Sequence, residues 1–220
     1  ISVSQALADD IRRFSQADIQ SFIVPNVVED LIFYADSSIA RENVFFMVSQ
    51  WKEPKDPFPL MMSFLRFNAE IDNIFVLRIG GYGQLWPGME QWVREHDNNH
   101  VIQLSGMMDE SQIADNMRRC KAFLHPTNYE TFSVVCAEAL SCGALVVAPK
   151  IGGIPEVVGD NGILLEKWDE NGWYEALKII SSYSMASSAK NMFSRTKIGR
   201  AYRDVLEEAI LQTDKQLGVT

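Results

Sequence analysis

The chain has 220 residues, 47% hydrophobic and 22% charged, enough apolar material for a core that removes roughly 70% of the unfolded surface from water, which excludes disorder over most of its length. Its 29 acidic against 20 basic residues give a net charge of −9, the opposite of a general nucleic-acid binder, although an anionic small ligand can still be held by helix N-terminal amides. Apolar runs such as 143–148 fall far short of the ~20 residues of a membrane span, and no basic-then-apolar leader is read at the start.

In chain order, Ile1–Phe14 reads as a strand end and a helix, followed by a strand at Phe22–Val24 and a turn at Pro25-Asn26. Strands are then predicted at Val44–Val48, Ile74–Ile79, His100–Leu104, Ala122–His125, Ala144–Ala148 and Gly162–Leu165. Most are continuous apolar runs, as expected where both faces of a parallel sheet are covered. Asp56-Pro57 opens one intervening helix and Asp109-Glu110 opens another that ends near Arg119. Residues Met61-Met62 and Phe64-Leu65-Phe67 are core at helical spacing. Beyond Glu166 helices are predicted over Glu170–Ser181, near Met185–Phe193, and from Ser194 to about Gln212. Strand–helix–strand alternation predicts an α/β, doubly wound parallel sheet with a helical C-terminal tail. The chain opens on Ile in mid-pattern, which is read as a piece of a longer protein.

Two carboxylates, Glu130 and Glu138, stand out with seven residues between them. Glu130 falls in the loop after a predicted strand, and Ser133 is a natural N-cap for the helix that carries Glu138. Glu138 is the lone Asp, Glu, Lys or Arg between Glu130 and Lys150. A carboxylate on so apolar a helix is costly unless a ligand diol or a distant arginine satisfies it. Ligands of open α/β sheets sit at the carboxyl ends of the strands, where the amides of Thr131, Phe132, Ser133 and Val134 would rim an anion site. A diphosphate on those amides, with a carboxylate on each side for ribose and sugar hydroxyls, describes a nucleotide-sugar site. Gly152-Gly153-Ile-Pro-Glu156 follows the next strand; its glycines allow a close backbone approach or a sharp turn.

Pro25-Asn26, Lys55, Gly80-Gly81-x-Gly83, Glu130-x7-Glu138, Cys142-Gly143 and Gly152-Gly153-Ile-Pro-Glu156, in that order, resemble the retaining glycosyltransferases of family 4 (group 1), which have the two-domain GT-B fold. The likeness runs from Asn26 to Glu166 and corresponds to the C-terminal, nucleotide-sugar-binding half. It implies three parts: 1–24, the last β-α unit of an N-terminal acceptor domain; 25–193, a Rossmann-like donor domain; and 194–220, a crossover helix. It further implies that Glu130 contacts the donor sugar and Glu138 the ribose, while Lys55 pairs with the diphosphate and stabilises the leaving group. Thr131, Phe132, Ser133 and Val134 would border the donor through their backbone, with Gly81 and Gly83 facing it and Ser105 and Met107 near the base. An Arg usual beside the Lys is replaced here by Gln50, a neutral amide that cannot act as a bidentate cation.

The resemblance thus implies transfer of a hexose from a UDP- or GDP-type sugar to a hydroxyl acceptor, a glycan, a lipid-linked or a small molecule, in cell-surface glycan synthesis. The alternatives are a GT-B sugar-nucleotide epimerase and a degenerate, non-catalytic domain. The missing N-terminal half would be the partner that completes the site, so this piece alone is expected to be inactive. No cofactor and no metal are expected, since no Asp-x-Asp occurs. Gly80-Gly81-Tyr82-Gly83 lacks the third glycine of a dinucleotide fingerprint, where Trp86 stands instead. His125 reads as a hydrogen-bonded structural histidine, and Cys120, Cys136 and Cys142 as reduced core thiols. The expected location is cytoplasmic, with any contact to the inner face of the membrane made by the missing half.

Overall fold

The computed structural model describes residues 1–16, 19–182 and 192–217, with side chains as far as 212. The elements are α1 (Gln5–Ser15), β1 (Val44–Gln50), α2 (Phe58–Ala69), β2 (Val76–Tyr82), α3 (Trp86–His96), β3 (Ile102–Gly106), α4 (Glu110–Arg119), β4 (Ala122–Leu124), α5 (Val134–Ser141), β5 (Leu145–Pro149), α6 (Ile154–Val158), β6 (Gly162–Leu165), α7 (Glu170–Ser182) and α8 (Arg195–Leu217). The six strands form one sheet in the order β3-β2-β1-β4-β5-β6, and every pair is parallel. The strand order reverses between β1 and β4, so the carboxyl ends of those two strands frame the crevice where such sheets bind ligands.

Continuous apolar strands form because each face meets its own helix layer. Phe45 and Met47 of β1 point to one side, with Leu77 and Ile79 of β2 and buried residues of α2 and α7. Phe46 and Val48 point to the other, with Phe123, Val146 and the buried faces of α4, α5 and α6. Phe45 stacks on Phe75 at 4.8 Å between ring centroids. As predicted, Met61, Phe64 and Phe67 are the buried side of α2, and burial of side chains this large is worth roughly 1.5–3 kcal/mol each.

The α4 start behaves as its sequence predicts. Asp109 accepts from the Gln112 amide while the Gln112 side chain accepts from the Asp109 amide, closing a capping box. At α2 the helix opens one residue later than predicted, with Pro57 at the cap and the Asp56 carboxylate accepting from the Phe58 amide at 3.3 Å. Phe22–Val24 is corrected: Ile23 makes only an isolated parallel bridge to Ser2 and does not join the sheet. Its one partner is Ser2, which donates to the Phe22 carbonyl and accepts from the Val24 amide, too little to propagate a ladder. The helix predicted near Met185–Phe193 lies largely outside the described residues.

The N-terminal piece is tied to the rest by specific bonds. Ser4 caps α1 by accepting from the Leu7 amide, and its hydroxyl donates to the Thr131 carbonyl at 2.6 Å. The Glu156 carboxylate accepts from the first amides of α1, Gln5 and Ala6, at 2.7 and 2.9 Å. A negative charge at a helix N-terminus is favourable, so Glu156 serves as an anchor for α1. At the other end of the chain, Arg195 pairs with Glu29 and Asp30 and holds the start of α8.

Candidate functional site

Three close approaches shape the crevice. The Trp51 indole is fully buried and donates to the Gly80 carbonyl at 2.8 Å, and the Trp51 amide donates to Tyr82. The end of β2 is thereby drawn against the end of β1. Gly81 has φ +107 there, and a side chain on it would overlap the Ser49 carbonyl. A second approach joins the loops that follow β1 and β4 through an antiparallel bridge between Lys55 and Thr127. In the third, Gly152, at φ +48, lies where any side chain would overlap the Glu130 carbonyl, and Gly153 lies likewise against the Thr131 carbonyl. This glycine pair admits the backbone of the Glu130 loop.

The result is a cleft of about 350 Å³ lined by Ser49, Gln50, Lys55, Gly81, Tyr82, Met107, Met108, His125, Glu130, Val134 and Val135, among others. That volume falls within the roughly 300–1,000 Å³ of small-molecule sites. Of the residues singled out from the sequence, Gln50, Lys55, Gly81, Met107, Glu130 and Val134 line this one cleft. Ser105 lies in a neighbouring groove with Met107, Asp109 and Gln112, and Gly83 packs under the Trp51 carbonyl. Phe132 turns its ring into the core, edge-on to Phe193 at 5.6 Å, so only its backbone can face a ligand. Glu138 is not a wall of the cleft, but it lies four residues after Val134 and three after Val135, on the helix face these two present to it.

The two carboxylates differ sharply in surroundings. Glu130 Oε2 accepts from the Lys55 ammonium at 3.2 Å and lies 3.4 Å from His125 Nε2, and Oε1 accepts from the Thr131 amide at 3.1 Å. Burial alone would raise its pKa, but the His125 hydrogen bond and the Lys55 charge outweigh it and bring the group to about 2. The Glu138 side chain has no hydrogen bond or ion pair among the described residues. Burial in its apolar helix, then repulsion from Glu110, pushes it up to about 7. His125 is itself buried, and that burial holds its pKa below the ordinary histidine value, so its ring is neutral at pH 7.

Ser133 occupies the cap position of α5 but does not cap. Its backbone is left-handed, φ 78 and ψ 77, and its side chain makes no bond to the helix. Its hydroxyl is the one buried side-chain polar atom among the described residues with no partner of ordinary geometry. Residues held in sparsely populated backbone regions cost stability. Sequence reasoning gave His125 no part in the site; its place at the carboxyl end of β4, ahead of Glu130, is the signal that could have found it. The three cysteines are buried and free, and burial first of all pushes each thiol up to about 12, which makes them inert packing groups. Among the described residues no group of His, Cys, Asp and Glu has the arrangement of a metal site, and no helix is long and apolar enough to cross a membrane.

A parallel sheet in 3-2-1-4-5-6 order, with a carboxylate, a lysine and a helix N-terminus converging at its switch point, defines a Rossmann-like architecture. The chain belongs to the glycosyl transferases group 1 family, whose sequence model matches residues 33–192. It is 30% identical over 144 residues to an uncharacterised glycosyltransferase of Methanocaldococcus jannaschii, covering 61% of this chain and 41% of that protein. It is 25% identical over 139 residues to a phosphatidylinositol N-acetylglucosaminyltransferase component of Arabidopsis thaliana, covering 63% and 31%. The chain therefore spans less than half the length of these curated relatives. Its fold matches HepE of Anabaena, solved with UDP and glucose, at a TM-score of 0.76 and 19% identity, over 94% of this chain and 62% of that one. The fold is that of GT-B glycosyltransferases.

Proposed function

We propose that this chain is the C-terminal, donor-binding half of a retaining glycosyltransferase of family 4. Such an enzyme moves a hexose from a UDP- or GDP-type sugar to a hydroxyl acceptor during cell-surface glycan synthesis. The observation that carries the reading is the meeting of Lys55, Glu130 and the N-terminus of α5 in one cleft at the β1/β4 switch point. The diphosphate lies against the free amides at the start of α5. Lys55 turns to it and balances the charge that develops on the leaving group. Glu130 accepts from the donor sugar, and the ribose diol gives the unpartnered Glu138 the hydrogen bonds it lacks. Residues 1–24 belong to the acceptor-binding half and α8 crosses back to it; that half supplies the acceptor site, so the chain alone binds donor weakly and transfers nothing. The chemistry calls on no metal, and the protein works in the cytoplasm, meeting the membrane's inner face through the acceptor half. Relatives named for phosphatidylinositol N-acetylglucosaminyl and mannosyl transfer support a lipid-linked or glycan acceptor.

Calorimetry with UDP, GDP and their sugars tests this. Binding in the high micromolar to millimolar range is expected, roughly −4 to −6 kcal/mol. A folded sample that binds none of them at millimolar concentration removes the reading. One observation favours a degenerate domain instead: among the described residues Lys55 is the only Lys or Arg in the cleft wall, and it is already paired with Glu130. Absence of binding is the outcome that version requires.

A further inference from the structure

A carboxylate has about four acceptor positions, and the protein fills three of those on Glu130. Lys55 and His125 occupy Oε2 and the Thr131 amide occupies one position on Oε1. One position on Oε1 remains for a ligand hydroxyl. Two of the three partners are side chains, and they differ in how firmly they stay. Lys55 is a cation on a flexible four-carbon stem, which the negative charge of a diphosphate draws towards itself. His125 follows directly on β4, its ring buried and lying nearly parallel to the Phe123 ring at 6.3 Å. A neutral ring with its proton on Nε2 donates to Glu130. Lys55 Nζ, 3.5 Å from the same nitrogen, finds its acceptors in Thr127 and Glu130 instead.

We propose that His125 is a positioning residue of the donor site, the fixed donor that keeps the Glu130 carboxylate aimed at the sugar once Lys55 has turned to the diphosphate. The inference rests on the donor-site reading above. A neutral imidazole suits the task because it gives a hydrogen bond without adding a charge that would compete for the diphosphate. A second cation at this position would itself be drawn to the diphosphate, and an apolar ring would leave Oε2 without a partner whenever Lys55 swings away.

The test compares ligands with and without the sugar: UDP against UDP-glucose and UDP-N-acetylglucosamine, and GDP against GDP-mannose, each by calorimetry on wild type, His125→Phe and His125→Gln. His125→Phe should weaken the nucleotide sugar by on the order of tenfold, with the bare nucleotide changed by no more than about twofold. His125→Gln, which offers an amide donor of similar reach, should recover most of the loss. Equal losses for both ligands, or losses that follow a fallen melting temperature in both variants, make His125 a packing residue and overturn the proposal. Unchanged sugar-nucleotide affinity in His125→Phe overturns it too. Failure of wild type to bind either kind of ligand removes the donor-site reading, and this inference with it.

Discussion

Glu130, in the wall of the cleft, and Glu138, on the helix that borders it, stand in opposite physical states. Glu130 sits in a loop that receives Lys55 from the loop after β1 and finds His125 and the Thr131 amide within its own segment, so its charge is satisfied and its pKa falls to about 2. Glu138 sits on a helix whose buried residues are Cys136, Ala137, Ala139, Leu140 and Ser141. Nothing there answers its charge, and its pKa rises to about 7. The lesson is that the fold itself aims one carboxylate, while the other is left with unmet demand. Partly buried, unpaired carboxylates cost stability, and such perturbed groups gather at functional sites.

The comparison breaks most completely at Gly152. Gly152→Ala forces a methyl into the Glu130 carbonyl at a positive φ, so a loss of about 3 kcal/mol or more is expected by urea denaturation. The Glu130 loop must shift, and the contrast between the two carboxylates should disappear with it.

Glu138→Gln sharpens the comparison with a pH signature of defined sign. The folded-state pKa lies near 7, above the ordinary 4.5, so between those values the native state holds more protons than the unfolded chain and stability falls as pH rises. The variant should match wild type near pH 4.5 and exceed it above pH 7 by about 1–2 kcal/mol, discounted for partial exposure. The same change should weaken nucleotide binding by roughly 1–3 kcal/mol. A variant unchanged in both respects would mean that Glu138 already has a partner. Glu130 has the reverse sign: its contribution is present above 4.5 and is lost as pH falls towards 2.

The smallest effect belongs to the helix starts. Asp109 caps α4 with a complete box, so Asp109→Ala should cost about 1 kcal/mol. Ser133 holds the same position on α5 with an unpaired hydroxyl, so Ser133→Ala should stay within about 0.5 kcal/mol of wild type or stabilise slightly. Melting temperatures of the two variants measure the difference directly.

Much of this was legible from local pattern. The six sheet strands were readable because burial on both faces demands unbroken apolar runs, and Asp109 with Gln112 spells its capping box within four residues. Ser133 misled because its residue type suits a cap while its left-handed backbone forbids one. Strand ends such as Gly80–Tyr82 read as too short because what extends them is Trp51, pulled in from beyond another strand. Phe22–Val24 has strand composition, but a segment bridged to a single residue, Ser2, cannot extend a ladder.

From the sequence alone came the α/β class and the pair of acidic residues at a strand end, while Lys55 came from the resemblance to a family. The first two follow from periodicity or from spacing along one segment, where neighbours in sequence are neighbours in space. The tertiary structure alone decided that Gly152 carries the Glu130 loop, that Glu156 anchors α1, and that Lys55 pairs with Glu130. Those outcomes depend on which distant segments touch, and contacts across tens of residues leave no local trace because long-range packing, not propensity, determines them.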